Sequence, residues 1–409
     1  MSASPYIAVI GGGPAGLRAA EVAASSGARV TLYDGKRSVV LKFLVARKGG
    51  LNLTHGEEFD KFISRYEGPT QPENLWRDLI SAFSPQDLRQ WAAGLGCETF
   101  QARTGRAYPK ALKAAPLLRA WVSRLKHLGV VFEMDHRLSG IAPGNPHRIA
   151  FENGRTIEAE AVIFALGGAS WPQTGSDGNW IRLFESAGIP CHGLEPANCG
   201  WEHAWPSSVL AAAEGSPIKN VVVRAGERLV SGELLITRYG LEGGAIYQLG
   251  SALRSMAEPV IEVDFKPTFT VEQLIRKMES VRSNLVEEAV TRWKLGEAAA
   301  AMLAESACRT IPEMAAWVKR CVIPLERPRP IEEAISSAGG VCWEELDESL
   351  MIRRFPGLFV AGEMIDWEAP TGGYLMQGCF ATGTRAGHAA ARFIGCEGSD
   401  SARVEEPDA

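Results

Sequence analysis

Three glycines, Gly11, Gly13 and Gly16, satisfy G-x-G-x-x-G, and Asp34 stands 21 residues beyond the second of them. These residue types at this spacing suit a dinucleotide. A bare backbone can approach a pyrophosphate, the helix opening there supplies N–H groups and partial positive charge, and the acid accepts a ribose hydroxyl. An acid in that place fits a free 2′-hydroxyl, which favours FAD or NAD over NADP. Pro14 and Ala15 inside the turn are compatible, since proline at the first helical position gives up only an N–H that has no intrahelical partner.

Further chemistry is carried by two acid-free basic windows. Lys36, Arg37, Lys42, Arg47 and Lys48 lie between Asp34 and Glu57; Arg103, Arg106, Lys110, Lys113, Arg119, Arg124 and Lys126 lie between Glu98 and Glu133. Such windows serve as solvated helix faces, neutralise a cofactor pyrophosphate or hold an anionic substrate. Lys42 and Lys48 are catalytic candidates, because a cation beside a reduced cofactor can neutralise it or grip an acidic substrate. As proton donors the chain also offers His55, Tyr108, Lys110, Cys379 and Tyr374. Cys379 has no CxxC neighbour and so no local redox partner. Trp171 and Trp180 bracket a polar loop, as core residues or as a stacking wall for a planar substrate.

The elements that must position these residues follow from periodicity. YIAVI, GGGPAG, LRAAEVAASSG and ARVTLYD read as strand, turn, helix and strand. Residues 72 to 128 read as helices, with Ser84 and Pro85 opening one and Pro116 another, and GVVFEMDHRLSGI returns as a strand to a parallel sheet. AVIFALGG is a buried strand ending in Gly167 and Gly168, a second approach of backbone to a dinucleotide. From about Ile189 short strand-like pieces imply an antiparallel lobe (190–268), then helical text fills 269–326, and RPRP marks a linker. GLFVAGEMID and the glycine turn at Gly373 opening a long helix bring the chain back to its first lobe over 327–396. The expected division is 1–189, 190–268, 269–326 and 327–396, with a polar tail at 397–409.

Hydrophobic residues make up 46% and charged residues 22%, the balance of a globular enzyme. A net charge of −5 argues against a chain that coats nucleic acid, and no nucleic-acid-binding module is evident. The eight cysteines show no disulfide or metal-ligand spacing, so no metal site is expected. The start MSASPYIAVIGGG carries no cleavable leader pattern, and no run is long enough to span a membrane, so the cytoplasm is the expected address. Composition is silent on oligomeric state.

GGGPAGL, LKFLVARKGGLNLT, FALGGASWPQTGSDG, GELLITRYGLEGGAIY, ISSAGGV and GLFVAGEMID…TGGYLMQGCFATG resemble, in this order, the HI0933-like flavoprotein family over nearly the whole chain. The resemblance implies an α/β fold: a glutathione-reductase-like Rossmann FAD-binding domain with an inserted strand-rich lobe that carries a helical subdomain. It implies noncovalent FAD, with Gly11, Gly13, Pro14, Ala15, Gly16 and Asp34 on the ADP half and Gly167 and Gly168 passing near it. Gly362 and Glu363 would lie by the pyrophosphate and ribityl chain, and Gly373 and Tyr374 before a helix facing the flavin ring. Lys42, Gly49, Gly50, Asn52 and Thr54 would belong to the loop that wraps the flavin. Many relatives carry SGGGRCN in that loop, whereas Leu51 stands here at the cysteine position. The activity implied is NAD(P)H-driven reduction of a C=C bond in a small molecule. The alternatives are reduction of a uracil base in ribosomal RNA and a flavin-binding sensor without turnover.

Overall fold

The computed structural model describes residues 6–44 and 50–396. Arg47, Lys48, Gly49 and the tail from residue 397 lie outside the described residues, so the expectations for them are not placed. Among the described residues no helix is long and apolar enough to cross a membrane. The chain divides into one unit of residues 1–195 and 337–409 and another of 196–336.

The first unit is built on a five-stranded, all-parallel sheet. Its order is Leu358–Val360, Ala161–Phe164, Tyr6–Ile10 (β1), Arg29–Tyr33 (β2) and Val131–Glu133. AVIF and LFV are apolar at every position because both faces of a parallel sheet are covered. Alternate residues feed different cores. Ile7, Val9, Val30 and Leu32 pack with the helix Pro14–Ser25 (α1) and the final helix Tyr374–Phe393, while Ala8, Ile10, Val162 and Phe164 pack beneath Phe151, Trp180 and Phe184. The last strand of this sheet comes from the C-terminal part of the chain, so the cofactor lobe closes only after the second unit has been threaded.

Over 72 to 128 the chain departs from an all-helical expectation. Helices Leu75–Ala82, Pro85–Ala93 and Ala114–His127 form, with Ser84 and Asp87 making a reciprocal capping box. Pro116 sits inside the first turn of its helix, which opens two residues earlier than the proline suggests. Between the helices, Arg106–Pro109 pairs with Thr99–Gln101 on one side and with Thr54–His55 on the other in a small antiparallel sheet. Segments of three and four residues are too short to show a period of two, and the turn between them depends on Gly105 at φ +84°.

The second unit holds a six-stranded antiparallel sheet, ordered Trp201–Glu202, Gly240–Glu242, Arg228–Thr237, Pro217–Ala225, Val260–Asp264 and Cys321–Pro324. Helices Val271–Lys277, Leu285–Trp293, Glu297–Ala304 and Ile311–Lys319 bury Leu274, Trp293, Leu303 and Met314 in the same core as Val223, Leu234 and Ile261 of the strands. Strands and helical insert therefore share one core within this unit.

Candidate functional site

The glycine turn between β1 and α1 divides its labour among three residues. Gly11 has φ +111°, and a side chain there would lie 2.2 Å from the Ala165 carbonyl oxygen, so only glycine lets the turn pass the neighbouring strand. At Gly16 a side chain would come within 1.9 Å of the Gly11 carbonyl oxygen, so this position fixes how closely the helix approaches the turn. At Gly13 nothing lies within 4 Å. That opening is the cradle a side chain would fill, at the mouth of a helix whose cap residue is Gly13 and whose N1 is Pro14.

Asp34 faces this turn from the end of β2. Its carboxylate accepts the Gly12 N–H at 2.7 Å and the Lys36 N–H at 2.8 Å, so the acid is oriented by backbone before any ligand arrives. Burial raises its pKa above the ordinary carboxylate value, and the two N–H bonds oppose the rise. Gly13, Asp34, Gly167, Gly362 and Glu363 all line one cavity of about 400 Å³. Gly362, at φ +81°, packs against Ala15, where a side chain would stand 2.7 Å from the Ala15 methyl.

Lys42 lines the same cavity and is held in a network. Its ammonium donates to Ser170 Oγ at 2.6 Å and to Glu363 Oε2 at 3.0 Å. The other Glu363 oxygen accepts from the Ser337 N–H at 2.9 Å, and Ser337 Oγ accepts the Ala169 N–H at 3.0 Å. Gly168 lies so close to Ser337 that a side chain would sit 1.7 Å from its hydroxyl oxygen. The cation and the acid of this cavity neutralise one another in a network drawn from four separate chain segments. Cys379 also lines the cavity; burial pushes its thiol up to about 12, which leaves it protonated and weakly nucleophilic at neutral pH.

Around the start of the final helix the expected cofactor contacts are placed differently. Thr54 is fully buried, donating its hydroxyl to Gln377 Oε1 at 2.8 Å, while the Gln377 amide donates to the Phe83 carbonyl at 2.6 Å. Thr54 is thus a clamp on the helix, with its hydroxyl proton engaged by Gln377. Gly373, at φ +103°, would place a side chain 2.5 Å from the Thr54 backbone, so the two segments touch through bare chain. The Tyr374 hydroxyl donates to Glu57, the Tyr66 hydroxyl donates to the Tyr374 carbonyl at 2.8 Å, and the His55 ring stacks on the Tyr374 ring at 5.3 Å. Burial first, then the bond to Glu57, raises the Tyr374 pKa. Burial would raise Glu57 too, but hydrogen bonds from Arg65 and Tyr374 hold it below the ordinary carboxylate value. Tyr374 is an anchor of the helix start, its proton already committed. Asn52 is different: its buried Oδ1 has no partner among the described residues.

The cavity also has walls the sequence did not advertise. Arg137 pairs with Asp177 and, at 3.1 Å, with Glu152; His136 donates from Nδ1 to the Met134 carbonyl at 2.8 Å; all four side-chain positions line the cavity. They come from residues flanking the strands Leu138–Ala142 and His147–Phe151 and from the loop after Gly168, with no fixed spacing from the glycine motif. Trp180 lines the cavity but is buried, its indole N–H donating to the Gly167 carbonyl at 2.9 Å, which makes it packing for the turn.

The residues present fit FAD. The open Gly13 cradle beside an oriented acid suits an ADP moiety. The chain is 28% identical to the 3-dehydro-bile acid delta(4,6)-reductase of Clostridium scindens over 411 residues, covering 94% of this chain and 98% of that one. It is 21% identical to the ribosomal RNA dihydrouridine synthase of Haemophilus influenzae over 273 residues, 66% of each chain. Its fold is that of the 3-ketosteroid-delta4-(5alpha)-dehydrogenase of Rhodococcus jostii, with a TM-score of 0.51 at 17% identity and coverage of 95% and 97%. The family model described as the HI0933-like protein Rossmann domain matches residues 5–389. The chain is therefore an FAD-dependent oxidoreductase and belongs to the HI0933-like family.

Proposed function

We propose that this protein reduces a carbon–carbon double bond in a small molecule, with NADH or NADPH as the reductant. The observation that carries the reading is the Gly13 cradle set beside Asp34, in a chain that aligns over 98% of a reductase acting on a delta(4,6) bile acid. Bound FAD supplies the hydride-transfer chemistry. The chain's own residues bind and orient. Asp34 accepts ribose hydroxyls, the α1 N-terminus receives the pyrophosphate, and Lys42 keeps Glu363 from opposing that anion. Asn52 supplies an acceptor, and Tyr374 and Thr54 fix the start of the final helix.

The test is direct. The FAD-loaded protein is photoreduced without oxygen and mixed with a 3-oxo-4,6-diene bile acid. Reoxidation of the flavin with matching loss of the diene is expected, and a flavin that stays reduced with this and other conjugated ketones would sink the small-molecule reading. The relative that makes dihydrouridine favours a second reading, reduction of a uracil base in ribosomal RNA. Dihydrouridine would then be missing from the rRNA of a strain lacking this protein, and an unaltered profile removes that reading.

A further inference from the structure

The small antiparallel sheet of Thr54–His55, Arg106–Pro109 and Thr99–Gln101 sets His55 opposite Arg106 and Phe100 opposite Tyr108. Opposed residues share a face, as do residues two apart along a strand, so His55, Arg106, Tyr108 and Phe100 stand on one side. The other side carries Thr54 and Ala107, both buried.

The first face borders the candidate site at three points. His55 stacks on Tyr374. The Tyr108 ring lies 3.4 Å from where a side chain at Gly50 would begin, and Arg106 Nε lies 4.0 Å from the same point at Gly372. Gly372 and Gly373 hold φ of +133° and +103°, which keeps the approach to Arg106 clear of side chains. Phe100 is 37% exposed, with its ring 5.9 Å from that of Tyr108.

Arg106 is half-buried, and among the described residues its guanidinium has no hydrogen-bond or ion-pair partner. Lys110 of the same segment pairs with Glu98, and Arg65 pairs with Glu57. A guanidinium without such a partner is free to donate to an oxygen ligand. Aromatic rings beside it offer flat apolar cover.

We propose that this face binds the substrate as a planar ring ketone, Arg106 donating to the carbonyl oxygen while Tyr108 and Phe100 cover the ring. The proposal rests on the double-bond reductase reading and names its substrate class. One guanidinium on the same sheet face as two aromatic rings suits a single oxygen on an apolar ring; an RNA strand calls for a row of cations on its phosphates.

The experiment uses the full-length FAD-loaded protein, with 4-androstene-3,17-dione and its 3-hydroxy counterpart as probes in equilibrium dialysis. Arg106→Gln is expected to weaken binding of the 3-oxo probe about tenfold or more, the scale of a charge-assisted hydrogen bond. Binding of the 3-hydroxy probe, FAD content and melting temperature stay as in the wild type. Phe100→Ala, at a position 37% exposed, weakens both probes. Equal binding of the 3-oxo probe by wild type and Arg106→Gln overturns the proposal, as does a wild type that binds neither steroid but binds a uridine-containing oligonucleotide. Flavin reduction by NADH and NADPH is followed in the same preparations. Arg106-dependent ketone binding without any flavin reduction would overturn the reductase reading and leave this site standing.

Discussion

Asp34 is ready for a ribose before one arrives, because two backbone N–H groups aim its carboxylate. Asp34→Ala should cost about 1.5 to 3 kcal/mol of FAD affinity, the scale of a hydrogen bond to a charged group, measured by flavin fluorescence titration. Unchanged affinity would contradict its role. The direction of its pKa shift makes a second forecast for FAD-free protein. A carboxyl whose folded pKa is raised contributes stability that is present below the unfolded pKa and lost as pH rises through the folded value. Asp34→Asn should therefore gain on the wild type in thermal midpoint as pH rises above the ordinary carboxylate range; a constant gap would refute the burial argument. Lys42 and Glu363 are expected to act as one unit: Lys42→Met weakens FAD binding, and adding Glu363→Gln recovers part of the loss, with a coupling of about 0.5 to 3 kcal/mol in a double-mutant cycle. Additive losses would mean that the pair does not neutralise the cavity. The strand, glycine turn and helix that bring Asp34 against Gly12 lie in one contiguous stretch and were legible in sequence. The bond from Thr54 to Gln377 was not legible, because Gln377 lies on the last helix.

At the scale of elements, α1 is fixed from both sides. Gly383 and Gly387 of the final helix meet its backbone: a side chain at Gly383 would lie 2.4 Å from the Ala15 carbonyl oxygen and one at Gly387 2.7 Å from that of Ala19. Gly383→Ala should cost about 1 to 3 kcal/mol through overpacking and lower FAD affinity as well, because Ala15 belongs to the phosphate turn. Urea unfolding and a flavin titration on one preparation check both; loss of stability alone would detach the helix contact from the site. On the other side, buried Glu21 accepts from Trp91, Trp121, Arg124 and Arg18. Glu21→Ala leaves those donors facing an empty acceptor and should cost about 3 to 5 kcal/mol in urea unfolding. A cost under about 1 kcal/mol would show that water takes its place. The parallel strands and long helices could be read from periodicity because their apolar runs are continuous. The three-stranded sheet that carries Arg106 could not, since its strands span two to four residues and pair across the intervening helices.

The whole molecule joins a cofactor unit, completed by its C-terminal segment, to a unit in which sheet and helices share one core. The early glycine motif and the late GLFVAGEMID made the return of the chain legible, because an apolar strand ending in Gly-Glu needs a sheet to join. Substrate identity was not legible, since fold fixes the cofactor's place and leaves the reacting partner to side chains gathered from distant segments. The central claim is that this flavoprotein takes its electrons from a reduced nicotinamide and passes them to a double bond. Anaerobic stopped-flow mixing of the FAD-loaded protein with NADH and, separately, NADPH tests it most directly. Bleaching of the flavin absorbance by at least one of the two is the predicted result; absorbance unchanged with both would contradict the account.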